Sequence, residues 1–186
     1  MKKYVLVAGT NGVGKSTLYE TQDALKDIPR VNTDEIVRSF GDWRNISDVM
    51  KAGKMALQMI RNYFTEGASF SQETTLCGQS ILRNMEKARE LGYEIELHYI
   101  GVDSIQIAKD RVAYRVARGG HGIPDEDIER RYSESFERLM QVLPMCDIAV
   151  LYDNTKIFQR FAIYRFGELI KINNEKIPDW YKRLSV

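Results

Sequence analysis

Residues Gly9 to Ser16 read GTNGVGKS, three glycines followed by a lysine and a hydroxyl. Gly9, Gly12 and Gly14 let backbone N–H groups turn inward around an anion, Lys15 can reach the β- and γ-phosphates of a nucleotide, and the Ser16 hydroxyl can ligate Mg²⁺. Asn11, Val13 and Thr17 complete the loop and the first turn of a helix whose N-terminal dipole favours the same charge. The octet follows the apolar run Tyr4 to Ala8 directly, the strand that such a loop requires.

A phosphate loop names a ligand and leaves the reaction open. A guanine-reading NKxD is absent, since DNTK at Asp153 to Lys156 has the wrong order, and so is an LSGGQ-like string. Two acids give a positive signal, because ligands of open α/β sheets bind at the carboxyl ends of the strands. One expected strand ends in NTD (Asn32 to Asp34) and another in QET (Gln72 to Thr74). Asp34 and Glu73, with Thr74 beside it, should therefore face the phosphates. That pairing suits phosphoryl transfer from ATP to a hydroxyl: one acid orients the acceptor and takes its proton, while the other holds the acceptor or a magnesium-bound water. Asp34 equally suits a helix cap, and Glu73 a solvated strand end.

Arg111, Arg115 and Arg118 share one helical stripe, roughly 100° from the apolar stripe Ile105, Ala108, Val112 and Val116. They can overhang a cleft or form a solvated face. The turn GGHGIP (Gly119 to Pro124) follows, so residues about 104–143 read as a helical lid that neutralises charge and excludes water. His121 is either a lid contact or a turn residue, His98 a packed or surface histidine, and Trp43 either a stacking platform or a cover for the core. Ile148 to Asp153 is an apolar strand ending in an acid, either a magnesium-binding segment or one whose Asp153 simply caps a turn. It supports, with the C-terminal hairpin as a docking surface, a second reading: a nucleotide-dependent ATPase switch working through a protein partner. Asn154 follows where small kinases place an adenine-contacting loop.

The elements that position these groups alternate between apolar runs and amphipathic segments, the pattern of a three-layer α/β fold with a mainly parallel sheet of five strands. Strands are expected at Lys3 to Ala8, Ile28 to Asn32, Ala68 to Glu73, Tyr93 to Gly101 and Asp147 to Tyr152. Helices are expected at Lys15 to Lys26, from a Thr33 or Asp34 cap to Phe40, from a Ser47 cap to Gly67, at Ser80 to Leu91, from a Ser104 cap to Arg118, and from Pro124 to before Pro144. Lys156 to Ile172 reads as a C-terminal β-hairpin on the sheet edge.

The chain has 186 residues, 44% of them hydrophobic, which suits one domain. Its net charge of +1 points away from nucleic acid as a partner. Cys77 and Cys146 lack metal-ligand or disulfide spacing and read as buried thiols. Tyr4 to Ala8 is too short for a signal-peptide core, and no stretch has membrane-spanning length, so a cytoplasmic protein is expected.

GTNGVGKST, NTDEI, QETTL and DRVAYRVARGGHGIP followed by DIERRY together resemble the zeta-toxin-like group of P-loop kinases, over roughly residues 1 to 155. That resemblance implies a kinase-like fold and an ATP-dependent sugar-nucleotide kinase whose acceptor is UDP-N-acetylglucosamine or a related cell-wall precursor. It implies Lys15 and Ser16 on the nucleotide and Mg²⁺, Asp34 as the base, Glu73 as a substrate contact, and Arg111 and Arg118 as phosphate clamps, with Arg115 a weaker candidate. An antitoxin-like partner belongs to such a group, although the sequence itself does not indicate one. The chain is shorter than full toxins, leaving less material for a large pocket, and its final hairpin has no counterpart to assign.

Overall fold

The run Tyr4 to Ala8 is buried on both faces: Tyr4, Leu6 and Ala8 join one apolar cluster, Val5 and Val7 another. A strand apolar on both sides belongs in the middle of a parallel sheet covered by helices, and this one lies there. The computed structural model describes residues 1–184. In chain order the elements are β1 (Lys3–Ala8), α1 (Lys15–Thr21), α2 (Asp23–Lys26), β2 (Arg30–Val31), α3 (Thr33–Phe40), α4 (Ile46–Glu66), β3 (Phe70–Thr74), α5 (Ser80–Glu90), β4 (Glu94–Gly101), α6 (Ile105–Ala117), α7 (Asp125–Val142), β5 (Ile148–Asp153), β6 (Gln159–Arg165), β7 (Glu168–Ile172) and α8 (Asp179–Lys182).

The sheet has seven strands in the order β2-β3-β1-β4-β5-β6-β7. The first five are parallel, and β6 and β7 extend the edge beside β5 as an antiparallel hairpin. The Phe166–Gly167 turn has positive φ at both residues, 50° and 81°, which suits a hairpin with the twist of its strands. Ala56, Ile60 and Phe64 of α4, Ile81, Met85 and Ala88 of α5, and Trp180 of α8 cover one face. Leu18 and Tyr19 of α1, Leu25 of α2, and Ala108 and Val112 of α6 cover the other. Helix α7 reaches both clusters, through Ile128 and Tyr132 on one side and Leu139 and Val142 on the other.

Several boundaries differ from expectation. The helix expected over Lys15 to Lys26 breaks at Gln22, whose extended backbone separates α1 from α2. The side chain of Asn32, and not Thr33 or Asp34, caps α3 by accepting from the Asp34 and Glu35 N–H groups. Asn45, and not Ser47, caps α4, which therefore begins at Ile46. In both cases asparagine, a strong N-cap, stands one or two residues earlier than the chosen residue. Strand β2 shortens to two residues. Beyond β7, the chain turns back and seats Trp180 in the core against Tyr99, Phe136 and Phe161.

Candidate active site

Register sets the site. Val7 pairs with Glu73 and Ala8 with Thr74, so β3 ends level with the start of the phosphate loop. Val31 pairs with Gln72, bringing Asn32 alongside Glu73. The loop enters α1 through Gly14, whose φ of 100° is left-handed and where a Cβ would stand 2.5 Å from Asn154 Nδ2. Only glycine fits there without strain. Asn154 Nδ2 donates to the Val13 carbonyl at 2.8 Å, so the residue after β5 braces the loop from behind.

Lys15 is buried, and its Nζ donates to the Gly9 and Thr10 carbonyls at 2.8 and 2.9 Å while lying 3.9 Å from Glu73 Oε1. Burial lowers the ammonium's pKa from its ordinary value; Glu73 and then Asp34 oppose the shift, and Arg115 and Arg131 add to it. Glu73 is 11% exposed, which displaces the reading of a solvated strand end. It accepts from the Arg30 guanidinium and, at 3.0 Å, from Asn32 Nδ2. Asn32 thus caps α3 with its oxygen and holds Glu73 with its nitrogen.

Asp34 stands in the first turn of α3 with its carboxylate 40% exposed and free of capping duty, since Asn32 supplies the cap. It opens onto a cavity of about 1040 Å³ that also takes in Asn11, Lys15, Glu73 and Thr74. The far walls are the apolar side chains of Val37, Ile46, Val49 and Met50 and the turn from His121 to Pro124. Trp43 lines this cavity, so it stands within reach of a ligand. The room is larger than the chain length suggests because α3 and α4 form one whole wall.

The arginines sort differently from the sequence pattern. Arg115 Nε donates to the His121 carbonyl at 2.6 Å, and its buried Nη2 has no partner among the described residues. Arg131 of α7 donates to Asn11 Oδ1 in the phosphate loop at 3.2 Å. Arg111 reaches the Thr155 carbonyl at 3.3 Å, with a buried, unpartnered Nη1. Arg118 is exposed and stacks on Tyr114 at 4.3 Å; like Arg111 and Arg115 it is not among the residues that line the cavity, whereas Arg131 is. Sequence reasoning passed over Arg131, although it adjoins Ile128 and Tyr132 on the buried stripe of α7.

Asp153 caps the turn that follows β5. Its Oδ1 accepts from Trp180 Nε1 at 3.1 Å and from the Thr155 hydroxyl and N–H at 2.7 and 3.3 Å, so it ties the turn after β5 to the C-terminal segment. His98 is buried between Glu96 and Tyr152. Cys146 is buried, its thiol pushed up to about 12 by desolvation, whereas Cys77 is half-buried in the cavity wall.

A strand order of 2-3-1-4-5 with the glycine loop leaving the middle strand defines a P-loop protein of kinase-like fold. A crystal structure of AvrRxo1-ORF1:-ORF2 with ATP matches the whole of this chain at a TM-score of 0.74 and 15% identity, and this chain spans 64% of that one. A structure from the PezAT chromosomal toxin-antitoxin system of Streptococcus pneumoniae matches at 0.64 and 15% identity, over 100% of this chain and 77% of that one. A putative kinase from Chloroflexus aurantiacus matches at 0.52 and 19% identity, over 71% and 78%. These likenesses speak for the fold. The zeta toxin family model matches residues 1–166, and the chain belongs to the zeta toxin family. An uncharacterized protein of Haemophilus influenzae is 33% identical over 131 residues, 70% of this chain and 92% of that one. The family match takes in β6, so half of the hairpin that lacked a counterpart lies within the family's span.

Proposed function

We propose that the protein is a magnesium-dependent ATP phosphotransferase acting on a hydroxyl of a small acceptor. The observation that carries this reading is the single cavity onto which both the phosphate-loop lysine and the Asp34 carboxylate open. The acceptor hydroxyl loses its proton to Asp34 as its oxygen bonds to the γ-phosphorus; the bond from that phosphorus to the bridging oxygen breaks, and ADP leaves with the electron pair.

Buried donors without partners support a polyanion here: Thr10 Oγ1 and Arg115 Nη2 have none, and Lys15 is turned back onto loop carbonyls that phosphates would replace. Arg115 and Arg131 then flank the transferred group, Arg111 stands toward Asn154 on the nucleotide side, and Arg118 has no part in the arrangement. Glu73, fixed by Arg30 and Asn32, and Thr74 form the acceptor-side edge. For the metal, the hydroxyl of Ser16 lies exposed in the first turn of α1. One such oxygen with phosphate oxygens and waters suits Mg²⁺, which supplies charge neutralisation when bound.

A cavity of about 1040 Å³ leaves room for a sugar nucleotide, the acceptor class that the family suggests. The apolar face of Val37, Ile46, Val49 and Met50 suits the body of such a molecule, and Trp43 its ring. The structures with ORF2 and from PezAT make an antitoxin-like protein partner part of the proposal. The switch reading rests on Asp153 and the edge hairpin, and the Oδ1 of Asp153 is taken up by Trp180 and Thr155. Purified protein incubated with radiolabelled ATP, Mg²⁺ and a panel of sugar nucleotides, sugars and nucleosides tests the proposal. A labelled acceptor is expected, and release of inorganic phosphate alone would contradict it.

A further inference from the structure

The turn between α6 and α7 is docked against the opposite wall of the cavity. A Cβ on Gly122 would stand 2.7 Å from Trp43 Cη2 and 2.6 Å from Val116 Cγ2, so the turn packs closely against the edge of the indole. The Trp43 and His121 ring centroids are 5.7 Å apart. Arg115 holds the His121 carbonyl from the α6 side. At this junction His121 Nε2 stands 3.3 Å from Asp34 Oδ1, with the imidazole only 13% exposed.

On the phosphotransferase reading above, we infer that His121 is a positioning residue for Asp34. The 3.3 Å contact sets Nε2 beside one carboxylate oxygen and leaves the other to accept the proton of the acceptor hydroxyl, so the base is aligned when the turn is seated on Trp43. Nothing in a glycine-rich turn sequence requires an imidazole; its distance to Asp34 gives it a task.

The charges around it set the state in which it works. Asp34 and Arg38 face it from α3, Asp42 from the loop before α4, Arg115 from α6 and Arg131 from α7. Burial lowers its pKa from the ordinary 6.5, the three arginines lower it further, and Asp34 opposes them. The surroundings therefore favour the neutral imidazole over the imidazolium. A neutral imidazole orients the carboxylate without drawing off its charge. As the pH falls through the lowered value, an imidazolium forms an ion pair with the carboxylate and competes with the acceptor hydroxyl for it.

With two histidines in the chain, imidazole NMR separates them by the signal that His121→Gln removes. The His121 titration should lie below 6.5 in the native protein, and further down in Asp34→Asn, where the opposing carboxylate is gone. Transfer is read with radiolabelled ATP and whichever of UDP-N-acetylglucosamine, N-acetylglucosamine or uridine is phosphorylated fastest. His121→Ala should lower kcat by about 10-fold to 100-fold, with the KM for ATP changed by less than about twofold. His121→Gln, which keeps an N–H near the position of Nε2, should recover most of kcat and remove the histidine limb from the pH profile. A His121 titration indifferent to Asp34→Asn, or His121→Ala turnover equal to the native protein's at every pH, overturns the inference. Native protein that labels none of the probes while the NMR coupling stands overturns the phosphotransferase reading instead.

Discussion

Replacing Trp180 by alanine tests how the nucleotide side of the site is braced. The indole is 1% exposed, stacks on Phe136 at 5.3 Å, meets Phe161 edge-on at 5.5 Å, and donates to Asp153 Oδ1. Removing a buried tryptophan and leaving its cavity costs about 3–5 kcal/mol, which for a chain of this size is roughly 10–15 °C in Tm. Trp180→Phe keeps most of the packing and loses one hydrogen bond. Because Asp153 retains Thr155 as a donor, that loss is about 1 kcal/mol. The effect should reach ATP, because the loop that Asp153 begins carries Asn154, the brace of Val13. A loss of about 1.4 kcal/mol in that brace weakens ATP binding roughly tenfold. Thermal unfolding and calorimetric titration with ATP measure the two effects. A Tm change below about 3 °C for Trp180→Ala, or equal losses for the alanine and phenylalanine variants, would refute the docked tail. Asp153→Asn should then lower stability by about 1–2 kcal/mol with metal-dependent turnover retained.

Three further outcomes follow from the same contacts. Lys15→Ala should reduce transfer by about 10²–10³, read as the initial rate at saturating acceptor. Gly14→Ala places a Cβ 2.5 Å from Asn154 Nδ2 at a φ of 100°; it should cost about 1–3 kcal/mol and weaken ATP binding, measured by thermal shift with and without ATP. Glu96 is held at about 2, mainly by its hydrogen bond to His98 and further by Lys3. Its folded-state value lies below the ordinary 4.5, so its contribution is full above that pH and is lost as the pH falls toward 2. Denaturant midpoints of native protein and Glu96→Gln should therefore differ near neutrality and converge over that acid window.

The phosphate loop was legible because its chemistry demands glycines at backbone turns that no other residue tolerates, and Gly14 meets Asn154 accordingly. Asp34 and Glu73 were legible because parallel register carries every strand end to one rim of the sheet. Helix caps were misplaced where asparagine precedes a serine, threonine or aspartate, since all four residue types can serve and backbone geometry decides between them. The arginines were read from one helix, but Lys15 is flanked by one residue from each of two helices, Arg115 and Arg131, whose crossing angle no periodicity reveals. The turn-capping role of Asp153 was open to sequence, but its partner Trp180 was not, because that residue lies in a segment that carries no motif. The contact between His121 and Asp34 joins a turn and a helix far apart in sequence, and only the fold brings them together.

The most direct test of the account is transfer by Asp34→Asn with an identified hydroxyl acceptor, beside ATP affinity measured on the same preparation. Losing a general base that touches the reacting hydroxyl should lower kcat by about 10²–10⁴, with ATP bound as tightly as by the native protein. Native rates of transfer in Asp34→Asn would contradict the assignment of the base and the reading built on it.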